Sequence, residues 1–363
     1  MDIPTLFTTM TEDNAPDGQP ANLITLQNTR GMTAVVMDIG ATWLSCTLPI
    51  PGQAPREVLL GVSNMADFIS QSTYLGATVG RYANRINKGQ FSINKQAYQV
   101  DTNQAGNCLH GGSDGFDQRR WQISSQTAHS VTFTLLSEDG DQGFPGTLTA
   151  SVNYTLTEQN QMQISYHAVT DKATPVNLTN HAYFNLDGAD PASDCRKHSL
   201  KIDADQYLPT NETGIPLDGL TPVTDTSFDF RQAKLIKQDF LQDQQQQLCK
   251  GYDHAFQLNT DGQLGQLAVQ LTSADKAVTL NLYTTKPAMQ LYTGNWLAGT
   301  PNRNAGVYSD YAGIALETQF LPDSPNHPEW SSNAAILAVE KSITKKPFTS
   351  LSIVKWRNTN HSK

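Results

Sequence analysis

Apolar and polar residues alternate with a period of two along most of this chain. Between Gln161 and Ala168, the apolar positions Met162, Ile164, Tyr166 and Ala168 alternate with polar neighbours. Phe91 and Ile93 lead into Asn94-Lys95, and Tyr98 and Val100 follow, a pattern that predicts a hairpin. Leu267, Val269 and Leu271 alternate, Ser273 to Lys276 supply a turn, and Val278, Leu280 and Leu282 alternate again. Thr132 to Leu136 and Leu200 to Ile202 are further candidate strands, and Pro175 to Thr179 is β-like. Such alternation puts one face of a strand on a core and the other in water. Helical signals are few and short. Ser63-Asn64 predicts a cap for a helix through Met65, Ala66, Phe68 and Ile69, and Ala233 to Phe240 is a second candidate. The Gln242 to Gln247 run reads as a solvated loop or a polar helix end. Many strands with so few helices between them predict an all-β fold, a large antiparallel sandwich or barrel, rather than a parallel α/β sheet. With no internal repeat and no clear linker, residues 1–363 read as a single domain.

Composition narrows the function classes. A chain of 363 residues can bury a core without disulfides or a structural metal. Its net charge of −9 and the absence of a Lys/Arg-rich run disfavour nucleic acid as a partner, because phosphate backbones demand a cationic surface. The four cysteines, Cys46, Cys108, Cys195 and Cys249, form no Cys-x-x-Cys pair. Cys195 and His198 have a ligand-like spacing, but no second pair accompanies them, so reduced structural thiols are expected rather than a zinc site. No basic stretch followed by an apolar one opens the chain, and no apolar run reaches the length of a membrane span. A cytoplasmic protein with no membrane partner is expected.

Candidate chemistry lies where the alternation breaks. LGATVGRYANRI (75–86), NCLHGGSDGFDQRRW (107–121), TNHAYFNLDG (179–188), KGYDHAF (250–256), MQLYTGNWL (289–297) and GIALETQFLPDSPNHPEW (313–330) concentrate glycine, aromatic and polar residues. Arg81, between Gly80 and Tyr82, is either a fork for sugar hydroxyls or a structural anchor for a loop. His110 precedes Gly111-Gly112, where glycine permits close approach of a ligand or simply a tight turn. His181 follows the β-like stretch; it is a candidate general acid, against the alternative of a histidine bonded to local backbone. Glu317 lies in the apolar run Ile314-Ala315-Leu316-Glu317. If buried, its carboxyl would be raised toward a useful base; on an edge strand it would be only a surface charge. Asp253-His254 is ambiguous between a site and a loop cap.

As a set and in order, LHGG, TNH-x-YFNLDG, GYDHAF, YTGN and the LET-to-PDSPNHPEW segment closely resemble the aldose 1-epimerase (galactose mutarotase) family, from about Ile24 to Trp330. The DGDQGFPG stretch, 139–146, is similar to a turn of that family, whereas the tail after Trp330 departs from its pattern. The resemblance implies a large antiparallel β-sandwich of the galactose mutarotase type, with a cleft across it. It implies an isomerase that interconverts the α and β anomers of free hexoses such as galactose and glucose, with no cofactor and no metal. It assigns Glu317 as general base, His181 as general acid and His110 as a second histidine near the ring oxygen. Arg81 and Asp253 match residues that hydrogen-bond sugar hydroxyls, with Asn84, Tyr183 and Gln290 as secondary contacts. The residue types suit the chemistry: ring opening needs a proton taken from the anomeric hydroxyl and one given to the ring oxygen. Trp296, Tyr292 or Phe184 is the candidate apolar platform for the sugar.

Three rivals remain at this point. A hexose-6-phosphate epimerase on the same fold would need cations near C6, for which Arg85, Arg119 and Arg120 are the available residues. A glycosidase could pair Asp253 with Glu317, though two histidines at the bond argue against hydrolysis. A non-catalytic sugar sensor would keep the binding residues and lack the acid or base, whereas this chain has both.

Overall fold

The computed structural model describes residues 1–190, 192–217, 219–260, 262–330, 335–339 and 348–358. Every ladder between its named strands is antiparallel. The largest sheet has nine strands and is built around Leu148–Thr157, Gln161–Thr170 and Val278–Thr284. The hairpin predicted over 267–282 forms Val269–Thr272 and Val278–Thr284, and Ser199–Ile202 pairs beside it. The 91–100 hairpin forms with Asn94 and Lys95 both at positive φ, the left-handed pair that a two-residue turn between twisted strands requires. The chain returns at its far end: Phe348–Asn358 inserts between Gln161–Thr170 and Val278–Thr284, completing the sheet from the tail that breaks the sequence pattern.

A second sheet of six strands carries the site. Tyr183–Phe184, Ile314–Gln319, Ala288–Tyr292, Asp253–Gln257, Gln206–Leu208 and Thr221–Pro222 lie in that order. Period-two geometry sends alternate side chains to opposite faces. Ile314 and Leu316, with Met289, Leu291 and Phe256, join the core that includes Leu280, Leu282, Ile164 and Val354 of the nine-stranded sheet. Ala315 and Glu317, with Gln290, Tyr292 and Asp253, occupy the other face by register. One face is therefore sandwich core, and the other is the floor on which a site is built. A four-stranded sheet, Leu23–Gln27, Thr33–Met37, Thr42–Leu48 and Arg56–Glu57, flanks this pair.

Helices are few, as expected. Met65–Ser70 is capped by Asn64, whose side chain accepts the N–H of Asp67 at 2.8 Å. Ala233 to Phe240 is not a helix: Lys234–Leu235 is an edge strand and Ile236–Asp239 a short 3-10 turn. Ile236 is the only fully buried side chain in that stretch, which is too narrow an apolar face to hold a helix. The glutamine run enters a short helix, Gln244–Cys249, capped by Asp243, with Gln246 buried and bonded to Asp239 O and Leu241 N. The sequence reading missed a helix at Ile3–Glu12, although Asp2 caps it, Pro4 sits in its first turn, and Leu6 and Met10 bury one stripe. Among the described residues no helix is long and apolar enough to cross a membrane. Leu280 sits with no exposed surface in the core between the sheets. Leu280→Ala is expected to remove about 2–5 kcal/mol of stability, read as a lowered urea midpoint with an unchanged slope.

Candidate active site

A cavity of about 220 Å³ opens over the floor of the six-stranded sheet, lined by His110, His181, Glu317, Asp253, Asn84, Tyr183, Arg85 and Tyr74 among others. Three chain segments converge there because three local structures hold them. Glu317 sits in the middle of Ile314–Gln319, directly opposite Gln290. Its neighbours on the strand, Leu316 and Thr318, point into the core, so its carboxyl faces the cavity while remaining only 2% exposed. His181 is held by its own backbone, which donates to Ala77 O at 2.8 Å and accepts from Gly76 N at 3.0 Å. His110 is fixed by reciprocal bonds with Asn84: its N–H donates to Asn84 O, and its Nδ1 accepts the Asn84 N–H, both at 3.1 Å. Asn84 and His110 both adopt positive φ, a local strain typical of sites that the surrounding structure over-determines.

The central contact is His181 Nε2 to Glu317 Oε1 at 3.5 Å, with both side chains almost wholly buried. Burial pushes Glu317 up to about 8, with the charge of Asp253 adding to the rise and that of Arg85 opposing it. Burial also pushes His181 down to about 4. Both shifts favour the neutral forms, the carboxylic acid of Glu317 and the uncharged imidazole of His181. His181 Nδ1 and Glu317 Oε2 are buried with no hydrogen-bond partner within the protein. His110 is held neutral by burial, and because its Nδ1 accepts, its hydrogen lies on Nε2. The titratable atoms of His110, His181 and Glu317 lie within 4.8 Å of one another, close enough to share a cation. A metal-bound imidazole donates through its second nitrogen, whereas His110 accepts there, so the donor set suits proton transfer better than metal ligation. Elsewhere, His198 Nε2 accepts the N–H of Leu186, which takes that nitrogen out of any Cys195–His198 ligand pair.

Asp253 lines the cavity at the start of its strand, and Gln290 Nε2 donates to its Oδ1 at 2.7 Å. Gln290 thus meets the site through Asp253. His254 turns away: its Nδ1 accepts the Asp253 N–H and its Nε2 meets Gln245. Tyr183 packs its ring 4.9 Å from that of His181. Tyr292 and Trp296 line the cavity, whereas Phe184 packs in the core against Trp43, which removes it as a sugar platform.

Arg81 requires correction. Its guanidinium is buried away from the cavity and donates to Pro145 O, Gly146 O, Ser137 O and Glu138 O. It is the anchor of the 139–146 turn and does not reach the cavity. The arginine that lines the cavity is Arg85, held by Gln104 Oε1 at 3.0 Å, with Gly214 leaving room for it: a Cβ there would lie 2.6 Å from its Cζ. No periodicity distinguished the two arginines, because residues 75–84 are buried without alternation. The glycine after His110 also serves packing: a Cβ on Gly111 would lie 2.0 Å from Gly80 O. Tyr74 was missed as well. It sits at positive φ with its ring 4.6 Å from that of His110, and no motif flags it.

This convergence of two histidines, a buried glutamate, an aspartate and an arginine finds its counterpart among known proteins. The family model described as aldose 1-epimerase matches residues 22–347. The chain belongs to the aldose 1-epimerase family. It is 52% identical over 316 residues to the aldose 1-epimerase of Escherichia coli, covering 87% of this chain and 91% of that one. It is 39% identical over 278 residues to human galactose mutarotase, covering 76% and 78%. The solved galactose 1-epimerase of Lactobacillus acidophilus superposes with a TM-score of 0.79 at 30% identity, covering 95% of this chain and 97% of that one. The aldose epimerase homologue of C. elegans superposes at 0.84 with 26% identity, covering 94% and 100%. As a member of the aldose 1-epimerase family the chain is an isomerase on the galactose mutarotase fold.

Separating the two arginines is a direct test of this geometry. Arg81→Met leaves several buried carbonyls without a donor and is expected to lower stability by roughly 2–4 kcal/mol. Arg85→Met is expected to leave the unfolding midpoint nearly unchanged and to weaken sugar binding. Paired denaturation curves and sugar titrations check both.

Proposed function

We propose that this epimerase interconverts the α and β anomers of free hexoses such as galactose and glucose, with Glu317 as general base and His181 as general acid. The observation that carries the reading is the 3.5 Å contact between His181 and Glu317, both buried at the wall of one cavity. O1 and O5 of a pyranose are both bonded to C1, so the group that takes a proton from one and the group that gives a proton to the other must be neighbours. When sugar enters, its hydroxyls and Arg85 stabilise the Glu317 carboxylate, and the shared proton passes to His181. Glu317 then removes the O1 proton as His181 protonates O5, and the C1–O5 bond breaks to leave the open-chain aldehyde. Rotation about C1–C2 presents the other carbonyl face. Reversal of both proton transfers closes the ring as the opposite anomer. His110 Nε2–H donates toward the ring oxygen side. Asp253, positioned by Gln290, hydrogen-bonds sugar hydroxyls together with Arg85 and Asn84.

The phosphorylated-sugar alternative loses its cations. Arg119 is paired with Asp141 at 2.6 Å, and Arg120 with Asp38 and Asp17 at 2.5 Å each. Only Arg85 among the three lines the cavity, where the Asp253 side chain opposes a dianionic substituent.

Polarimetry from fresh α-D-galactose tests the assignment. Wild type is expected to speed the approach to anomeric equilibrium well above buffer. Glu317→Gln and His181→Asn are each expected to lose roughly 10²–10⁴-fold of that rate while still binding sugar. Absence of acceleration by wild type would remove the free-hexose reading.

The pair also sets a pH profile. One proton is required, so kcat/KM is expected to fall below about pH 4 as His181 and Glu317 both become protonated. It is expected to fall again above about pH 8 as Glu317 loses the shared proton. These limits belong to the pair rather than to either residue alone. Buffer-corrected initial rates across that range check it; a profile flat through pH 9 would contradict the raised carboxyl.

A further inference from the structure

We propose that Trp296 is the stacking platform for the sugar ring at the cavity mouth, held in place by Lys250 and Asp310; this rests on the hexose epimerase reading above. Trp296 is 64% exposed, while the residues on either side, Asn295 and Leu297, have no exposed surface. The two buried neighbours anchor the loop and turn the indole outward, so its exposure is built into the backbone rather than left over from loose packing. Trp296 lines the same cavity as Glu317 and His181.

The ring is clamped from one side. Lys250 Nζ lies 4.5 Å from the indole centroid, a cation–π contact. That ammonium is itself pinned by Asp310 at 2.6 Å. Asp310 in turn accepts the N–H of Ala298 at 2.9 Å, which ties the clamp to the loop that bears the indole. Lys250 is fixed at its other end, because its carbonyl accepts the Tyr311 hydroxyl at 2.8 Å. Tyr292, a cavity wall, accepts the backbone N–H of Trp296 through its hydroxyl at 3.1 Å, joining the platform's backbone to the floor. A lysine on one face leaves the other free for the C–H face of a pyranose, which a planar aromatic surface recognises without a hydrogen bond. The cavity otherwise offers polar groups for hydroxyls; Tyr183 and Tyr74 are engaged with the histidine rings.

A platform that contacts ground state and transition state alike changes KM and leaves kcat alone. Trp296→Ala is expected to raise KM for galactose roughly three- to tenfold with kcat within about twofold of wild type. Trp296→Phe, which keeps an aromatic face, is expected to recover part of that loss. Lys250→Met, which frees the indole, is expected to raise KM less than Trp296→Ala. A spectroscopic arm reads the same contact. Trp43, Trp121 and Trp356 are buried and Trp330 is half-buried against His327, so Trp296 is the most exposed of the five tryptophans, and the difference between wild type and Trp296→Phe isolates its share of acrylamide quenching. Saturating D-galactose is expected to reduce that quenching in wild type and in Glu317→Gln, and to leave Trp296→Phe unchanged. Unaltered quenching in wild type, or an unchanged KM in Trp296→Ala, overturns the platform. Wild type that is shielded by galactose yet does not accelerate mutarotation overturns the epimerase reading and leaves the platform standing.

Discussion

A carboxyl group withdrawn from water in the middle of a sheet is the constraint around which this protein is arranged. Glu317 occupies a strand whose alternate side chains, Ile314 and Leu316, are core, so the strand cannot move outward without exposing them. Its carboxyl is therefore kept where ionisation is penalised and where a neighbouring imidazole can share its proton. The same burial that would be a defect in an ordinary strand turns an acid of ordinary strength into a group that exchanges protons near neutrality.

The rest of the site follows from holding partners against that carboxyl. His181 is delivered by backbone bonds to Gly76 and Ala77, and His110 by its reciprocal bonds with Asn84. None of these constraints depends on a flexible side chain. Gln290 lies opposite Glu317 in register and donates to Asp253, so the sheet ladder fixes the spacing between the Glu317 carboxyl and the Asp253 carboxylate at the cavity. Preorganisation of this kind means that, under the proposed mechanism, the surrounding dipoles need not reorient as a sugar ring opens.

Two arginines four residues apart illustrate division of labour within one segment. Arg81 ties the 139–146 turn with its guanidinium, and Arg85 turns into the cavity beside Gln104. Arg81 lies between Gly80 and Tyr82 and Arg85 between Asn84 and Ile86, and both are chemically able to bind hydroxyls. What separates them is which acceptors the fold brings within reach. A similar contrast holds for the aromatics: Phe184, Tyr292 and Trp296 are equivalent on paper, yet one is core, one is wall and one stands at the mouth.

The sequence by itself determined the all-β architecture, because period-two alternation records which face of each strand is dry, and a run such as 161–168 has no other reading. It also determined the residue types of the chemistry, since the ordered motifs around His110, His181, Asp253 and Glu317 carry the family resemblance. Only the tertiary structure decided which arginine reaches the cavity, that Tyr74 packs on His110, and that the chain's last strand, Phe348–Asn358, completes the large sheet. It also decided the surroundings of the acid–base pair: burial raises the Glu317 carboxyl and lowers the His181 imidazole, which disfavours the charged form of each. The physical reason is the same in each case. Alternation is a local property of one strand, whereas a side chain's partners and its access to water depend on segments distant along the chain.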